Sequence, residues 1–548
     1  MKKKKKRRLR KSIIYILSIF IVVLIGVLGF LIYRNYKDNI CSTYYLALDR
    51  ENIELSNQDG EKIFFIRGNE VQVKSKRVVE EDKEYGQIVY NDDIYLIPVE
   101  NLVEDRKDCV LEKQVYALKD NVLLRSYDDY HIAGNVKQEE LLNIDSYHEL
   151  LSDGSVDYYY VNNTGYISSN NVSYECVDIS YDSSVYRNVE TYDGGDPSLI
   201  HYYPKSDFTP KTQMPDIVKA LYINAEAVDG IDSYIDIAKQ TTGINAFVVD
   251  IKDCYVDTQL AYDSNVAKQY APSTSNIPNS FDTYKTELKK LKDAGYYLIG
   301  RITAFKDDAF AIDNPDEALL YNGSLYQYGF VKWPSIYSRK MWEYNVALAL
   351  EAVEEMGFDE IQFDYVRLPE DVEDVDLRNI YNESRIEAIA GFLRYAVDIL
   401  HSKGIYVSAD VFGETSGYYS SEFSCFVTDY GQFWPMISNI VDAISSMPYP
   451  DHFSAYSYGI EEPWAYPGEL MYEWGKATYH AQNNTYDAAK CRTWIMAQNS
   501  DPYDIIYDVD MIRSQIDGLK AANVFDGYLT WNAASSRSKY SQYISAFD

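Results

Sequence analysis

Cysteine is scarce. The chain of 548 residues holds six, at Cys41, Cys109, Cys176, Cys254, Cys425 and Cys491. No C-x-x-C pair occurs, so neither a zinc ribbon nor a redox dithiol has a framework. Two readings of these cysteines stay open: disulfides in an oxidising compartment, and buried small hydrophobes. Histidine is equally sparse, with six residues and no H-x-x-x-H spacing. That gives little support to a metal-dependent hydrolase built on Asp250, Asp253 and His452, and no metal site is expected. Basic charge is the third shortage. Residues 1–11, MKKKKKRRLRK, carry nine of the 52 basic residues and no acids, so the formal net charge of −32 leaves −41 for the rest. A body this acidic argues against binding a phosphate backbone, which needs basic patches, and no nucleic-acid partner is expected. The Gly-rich turn G-x-G-x-x-G of dinucleotide sites is absent from YINAEAVDG, and no cofactor is expected.

What is present begins with an apolar run. Residues 13–33, IIYILSIFIVVLIGVLGFLIY, are nearly unbroken. At ~1.5 Å per residue they reach about 30 Å, the thickness of a bilayer core. No small-residue cleavage site follows, and the basic cluster in front stays in the cytoplasm by the positive-inside rule. The expectation is a cytoplasmic tail over 1–11, one membrane-spanning helix over 12–34 with the N-terminus inside, and the bulk of the chain outside the cell membrane. Tyrosine is abundant, at 54 residues. Its flat apolar face and polar tip suit strands first and sugar-holding surfaces second.

Short β-rich runs separated by Gly, Asn and Asp follow the apolar segment: KIFFIRG, VQVKSK, QIVYN and DIYLIPV, then NVLLRSYD and VDYYYVNNTGYISSNNVS. The two sets end alike, in DDIYLIPVENL and NTGYISSNNVS, which reads as a tandem repeat over 43–108 and 109–173. The second copy, with Thr164, Gly165, Tyr166, Ile167 and Ser168, resembles bacterial SH3-like domains. That resemblance implies either binding of cell-wall material or a spacer role. The first copy lacks the Gly-Tyr pair. Residues 174–214 are turn-rich and proline-bearing, and read as a linker or a strap on the next domain.

From Lys219 strands alternate with helices. Eight strand candidates (KALYIN, NAFVVDI, YYLIGRI, EIQFDYV, GIYVSADVF, DAISSMPY, RTWIMAQ and GYLTW) lie within about 330 residues. Helical stretches with apolar residues at 3.6-residue spacing separate most of them. Trp342, Val346, Leu350 and Val353 form one such stripe. Gly295, Gly357 and Gly404 fall at helix C-caps just before strands. The pattern is that of a (β/α)8 TIM barrel over 215–548.

Catalytic groups of such barrels stand at the C-terminal ends of the strands. Here those ends carry Asp250, Lys252 and Asp253; Arg301, Lys306 and Asp307; Asp364 and Arg367; Asp410 and Glu414; Tyr449, Asp451 and His452; Arg492, Trp494 and Gln498; Trp531 and Asn532. Singly, each such group also suits a helix cap or an ion pair. Together they describe a polar cleft with stacking platforms, which suits a sugar chain. Glycosidic cleavage needs two carboxyl groups about the bond. Asp364 is expected to be the ionised one, kept so by Arg367. Glu414 and Asp410 compete for the acid role. Asp250, Lys252, Arg301, Lys306, Arg367, Tyr449, His452, Trp494, Gln498, Trp531 and Asn532 are the candidate substrate-binding set.

The segment GFDEIQFDYVRLP, with VVDIKD and RITAFKDD before it and ADVFG after it, resembles a bacterial family of inferred glycoside hydrolase domains with a TIM-barrel fold, over about 215–547. The layout is also similar to α-amylase-type barrels, with an Asp nucleophile after strand 4 and a Glu acid after strand 5, places matched by Asp364 and Glu414. The resemblance implies a hydrolase acting on an envelope or extracellular polysaccharide; the alternative is a carbohydrate-binding protein with a degenerate barrel. One departure stands out. Where a Trp-x-Asn/Asp-Pro-Tyr-type stretch is expected, this chain reads Trp333, Pro334, Ser335, Ile336, Tyr337.

Overall fold

The computed structural model describes residues 2–181, 194–417 and 429–548. Cys425 lies outside them, as does part of the 174–214 segment. The chain divides into two compact units, residues 1–116 with 141–175, and residues 117–140 with 176–548.

In the first unit one continuous helix runs Lys2–Asp38. Its stretch Ile13–Asp38 is long and apolar enough to cross a membrane. Two all-β modules follow. The first forms an antiparallel sheet in the order Val78–Glu80, Lys83–Tyr90, Glu70–Lys74, Cys41–Leu46, Leu102–Val103. Its core is Leu46, Leu48, Phe65, Val71, Val73, Ile88, Tyr95 and Ile97. The second is built on Gln114–Ala117, Leu141–Tyr147, Tyr158–Val161 and Gly165–Ser168, paired antiparallel. Both modules end in the same three pieces, a strand, a 3-10 turn and a two-residue strand: 93–98, 99–101 and 102–103 in one, 165–168, 169–171 and 172–173 in the other. A buried ion pair joins them: Arg67 Nη1 donates to both oxygens of Glu112 (2.6 and 2.7 Å), and Tyr159 Oη donates to the same carboxylate (2.8 Å).

The second unit is a nearly closed parallel barrel. Its strands are β1 (Val218–Ile223), β2 (Ala246–Cys254), β3 (Tyr297–Thr303), β4 (Glu360–Asp364), β5 (Tyr406–Phe412), β6 (Ala443–Met447), β7 (Thr493–Met496) and β8 (Gly527–Trp531). Neighbours pair parallel from β1 through β6, β7 pairs with β8, and β8 closes on β1. Between β6 and β7 the ring is completed by Lys490–Cys491, which pair with β6 before the ladder breaks at Arg492. The helices that follow each strand are α1 (Ile231–Ala238), α2 (Phe281–Asp293), α3 (Arg339–Met356), α4 (Arg385–Ser402), α5 (Trp434–Ile440), α6 (Pro467–Asn483), α7 (Val509–Ala521) and α8 (Arg537–Tyr543). Serines cap α2, α3, α4 and α8, each accepting a backbone N–H of the first turn, and Ser384 with Glu387 makes a full capping box on α4. Gly357 closes α3 at φ 80°, in the left-handed region that an L side chain resists. Trp342, Val346, Leu350 and Val353 are all buried.

Two segments from outside the β/α repeat belong to this unit. The hairpin of Val122–Arg125 and Ile132–Val136 docks on α3 and α4. There the Ile132 N–H donates to Glu343 (2.8 Å), Tyr395 Oη donates to the Tyr130 carbonyl (2.8 Å), and Arg394 donates to the Asp120 carbonyl (3.1 Å). Residues 200–214 form a strap. Tyr203 and Asn439 exchange two hydrogen bonds, and Phe208 lies flat on His401 with ring centroids 3.8 Å apart.

The barrel interior is unusually polar for parallel strands. At its base Glu360 on β4 pairs with Arg492, both fully buried. Tyr297 and Ser408 donate to the same carboxylate. One layer up, Gln362 donates to Ser445 (3.1 Å). Arg492 therefore stands at the start of β7, not at its end.

Candidate active site

The mouth of the barrel is set by register. Arg301 is aligned with Gln362 and Thr303 with Asp364, so Arg301 and Asp364 share the inward face of β3 and β4. Phe363 is aligned with Ala409. The next positions, Asp364 and Asp410, are therefore neighbours on adjacent strands, with Cα atoms about 5 Å apart. Both are buried, at 4% and 0% exposure.

Arg301 is the hub. It donates twice to Asp364 Oδ2, from Nε (3.1 Å) and Nη2 (2.6 Å), and once to Asp250 Oδ1 (2.8 Å). Its Nη1 also lies 3.4 Å from Asp253. The second oxygen of Asp364 accepts the Tyr365 N–H (2.6 Å). Tyr365 holds φ 50°, a left-handed conformation that costs a non-glycine residue free energy and here turns the chain sharply out of β4. Asp250 accepts a further hydrogen bond from Tyr222 Oη (2.5 Å), and its backbone carbonyl accepts one from Tyr284 (2.6 Å). Burial pushes the Asp250 carboxyl up to about 7, against the opposing pull of Arg301.

Asp410 sits in a different setting. Trp494 Nε1 donates to Oδ1 (2.8 Å), while Oδ2 has no partner among the described residues. Burial, and then the charge of Asp364, hold this carboxyl well above the ordinary carboxylate range. Glu414 stands on the 3-10 turn Gly413–Ser416 after β5, half-buried. Burial raises it too, but the charge acting on it is that of Glu370, not of Asp364.

Aromatic rings line one side. Trp531 packs with Tyr222 (centroids 4.9 Å), Trp494 (5.9 Å) and Tyr449 (6.0 Å). The Arg301 guanidinium lies 5.8 Å from the Trp531 ring. His452, exposed, meets Tyr449 edge-on at 5.2 Å. Lys306 lies over the Tyr365 ring at 4.5 Å.

The mouth thus gathers Asp250, Arg301, Asp364, Asp410, Tyr449, Trp494 and Trp531. Four candidates have other attachments. Lys252 is fully buried, with its ammonium on Asp307 (2.7 Å) and Asn345 (3.0 Å). Arg367 is not the counter-charge of Asp364. It lies over Phe412 (4.2 Å) and near Glu370 (3.6 Å), and the expected role passes to Arg301. Gln498 accepts the Ala533 N–H (2.9 Å), and Asn532 donates to the Ala497 carbonyl (2.8 Å), so both tie the β7 loop to the β8 loop. Trp333 and Ser335 are buried, and Ser335 Oγ donates to the Leu377 carbonyl (2.6 Å), bracing the loop after β4. The cation between Asp250 and Asp253 is the Arg301 guanidinium. Strand β1 contributed no candidate from sequence, yet Tyr222 buttresses Asp250; its only signal was a tyrosine near the end of an apolar strand.

Residues 220–537 match a family described as "Putative glycosyl hydrolase domain". The chain belongs to this family. The matched span holds every barrel strand except the first two residues of β1. No curated protein matches the chain. Among solved structures, a hypothetical protein from Ruminiclostridium thermocellum ATCC 27405 is 34% identical over 35% of this chain and 97% of its own, with TM-score 0.30. The PgaB (BpsB) glycoside hydrolase domain from Bordetella bronchiseptica is 12% identical over 58% and 95%, with TM-score 0.44. The spore cortex-lytic enzyme SleL from Bacillus cereus is 12% identical over 63% and 76%, with TM-score 0.35.

Proposed function

We propose that this glycosyl hydrolase-family chain cleaves a polysaccharide of the envelope or the extracellular space, anchored by its N-terminal helix, with Asp364 and Asp410 as the two carboxyl groups. One observation carries the reading. Neighbouring acids on β4 and β5 have different settings: Arg301 pairs with Asp364, while burial and the nearby Asp364 charge raise the Asp410 carboxyl. Arg301 supplies the counter-charge for an anionic Asp364. Burial and that same anion favour a protonated Asp410, whose Oδ2 has no partner among the described residues. A glycosidic oxygen entering the mouth is that partner. Asp410 gives it a proton as the bond breaks, and Asp364 meets the positive charge growing on the sugar ring, as nucleophile or as electrostatic partner. Tyr449 and Trp531 offer the sugar faces to stack on. The basic residues before the helix support a cytoplasmic N-terminus with the barrel outside.

The complete burial of Asp410 favours one alternative, a barrel that holds glycan without turnover. Release of reducing ends from peptidoglycan glycan strands, chitosan and neutral polysaccharides tests both. Asp364→Asn is expected to lower the rate about a thousand-fold or more while the unfolding transition stays cooperative. Full activity in that variant would sink the two-carboxylate reading; retention of glycan without turnover in the parent chain selects the alternative.

A further inference from the structure

The loops after β6 and β7 carry two rings that the mouth does not use. Trp464 and Tyr503 stack face to face, centroids 3.8 Å apart and planes 3° from parallel. Trp464 is half-buried and Tyr503 exposed. The pair rests on a fixed base: buried Tyr507 donates to the Trp464 carbonyl (2.7 Å), and buried Tyr543 donates to the Tyr507 carbonyl (3.0 Å). The same loops bear exposed carboxylates, Glu461 and Glu462 beside one ring and Asp501 and Asp504 beside the other. Tyr449 of the mouth and Trp464 stand in the same loop, between β6 and α6.

In a ring of eight strands β6 and β7 stand across from β2 and β3. There the exposed tips of two hairpins are aromatic again. Tyr255, 84% exposed, tops the turn between β2 and Thr258–Leu260, and Phe330, 74% exposed, tops the turn between Gln327–Tyr328 and Val331–Lys332. A lone exposed ring is ordinary. A rigid ring pair flanked by hydrogen-bond acceptors, with aromatic tips opposite and an acid pair between, is the chemistry of a long sugar chain: flat C–H faces for the rings, hydroxyls for the carboxylates. An enzyme that trims chain ends needs purchase on one side of the cleaved bond. This mouth offers it on both.

We infer that Trp464 and Tyr503 form a sugar-stacking subsite of an open cleft, and that the substrate is an internal stretch of a long glycan chain rather than its terminus. The inference rests on the hydrolase reading for the word substrate, but the subsite is tested without turnover. Detergent-solubilised full chain carrying Asp364→Asn is run by affinity electrophoresis in gels containing soluble chitosan, peptide-free peptidoglycan strands or carboxymethylcellulose. At least one polymer should retard it. Trp464→Ala with Tyr503→Ala should weaken that retention tenfold or more, and Trp464→Phe alone, which keeps a stacking face, should keep most of it. Retention that ignores the double substitution, or no retention on any of the three polymers, overturns the subsite. Cooperative thermal unfolding of each variant separates loss of the subsite from loss of the fold. Early products of intermediate length from the active chain support internal cleavage, and products of one or two sugars throughout overturn it. Activity that survives Asp364→Asn would defeat the two-carboxylate reading and leave the retention result standing.

Discussion

The base and the mouth of the barrel hold the same two chemical groups and use them in opposite ways. At the base Glu360 faces one guanidinium, Arg492, and both of its oxygens are engaged by Arg492, Tyr297 and Ser408. At the mouth Arg301 serves Asp364 and Asp250 and lies near Asp253, while one oxygen of Asp410 has no partner among the described residues. The base is balanced in charge; the mouth has a surplus of carboxyls over cations. A balanced buried pair fixes register and is poor at reacting. A surplus leaves one carboxyl protonated, which is what acid catalysis requires. Burial alone does not single out the proposed acid, since Glu360 is as buried as Asp410; the two differ in their partners.

The contrast can be broken first at the mouth. Asp410→Asn should lower kcat by about 10²- to 10⁴-fold on whichever polymer proves to be cleaved. Glu414→Gln, on the half-buried turn, should cost less than about tenfold. The reverse order in steady-state kinetics would hand the acid role to Glu414. At the base the loss should appear in stability. Glu360→Gln leaves a buried guanidinium without its anion, and denaturant titration should show about 3–5 kcal/mol lost. Replacing both partners, Glu360→Leu with Arg492→Met, should cost less than the single change. A double variant as unstable as the single one would mean that the hydroxyls of Tyr297 and Ser408 carry the layer.

The smallest effect is one of pH. The ordinary value for Asp250 is 3.8, and in the fold its carboxyl lies at about 7. A carboxyl raised by folding adds stability that is fully present below about pH 4 and is lost as pH rises toward 7. Thermal unfolding should therefore ease across that window, with a slope from this group of at most about 1.4 kcal/mol per pH unit. Asp250→Asn should flatten it. An unchanged slope would move the titration to another buried acid, with Asp410 the first to examine.

The barrel was legible in the sequence because each strand is a short apolar run and three helices end on a glycine that only a C-cap explains. Helices α5, α6 and α8 escaped: α5 and α8 are only seven residues long, and α6 carries Gly468 and Gly475, both poor helix formers. In α6 the buried stripe of Leu470, Met471, Trp474 and Ala481 outweighs them. At the mouth the strand-end acids were legible one by one, but their partners were not. Arg367 is three residues from Asp364 in the chain and was the natural guess. Arg301 is 63 residues away and reaches it only through the parallel register of β3 and β4. The bond from Trp494 to Asp410 spans 84 residues and exists only once the ring is closed. Local sequence names the charged groups; the closing of the sheet decides which of them meet.

The docked hairpin at residues 122–136 bears on how this protein can be taken apart. Cutting the chain where the β/α repeat begins, near residue 215, would look natural from the strand pattern. It would also strip α3 and α4 of the cover that Glu343, Arg394 and Tyr395 now hold, together with the strap on His401. The compact barrel unit is therefore not a continuous stretch of the chain: it joins residues 117–140 to residues 176–548, and a cut that keeps the hairpin lies upstream of residue 117.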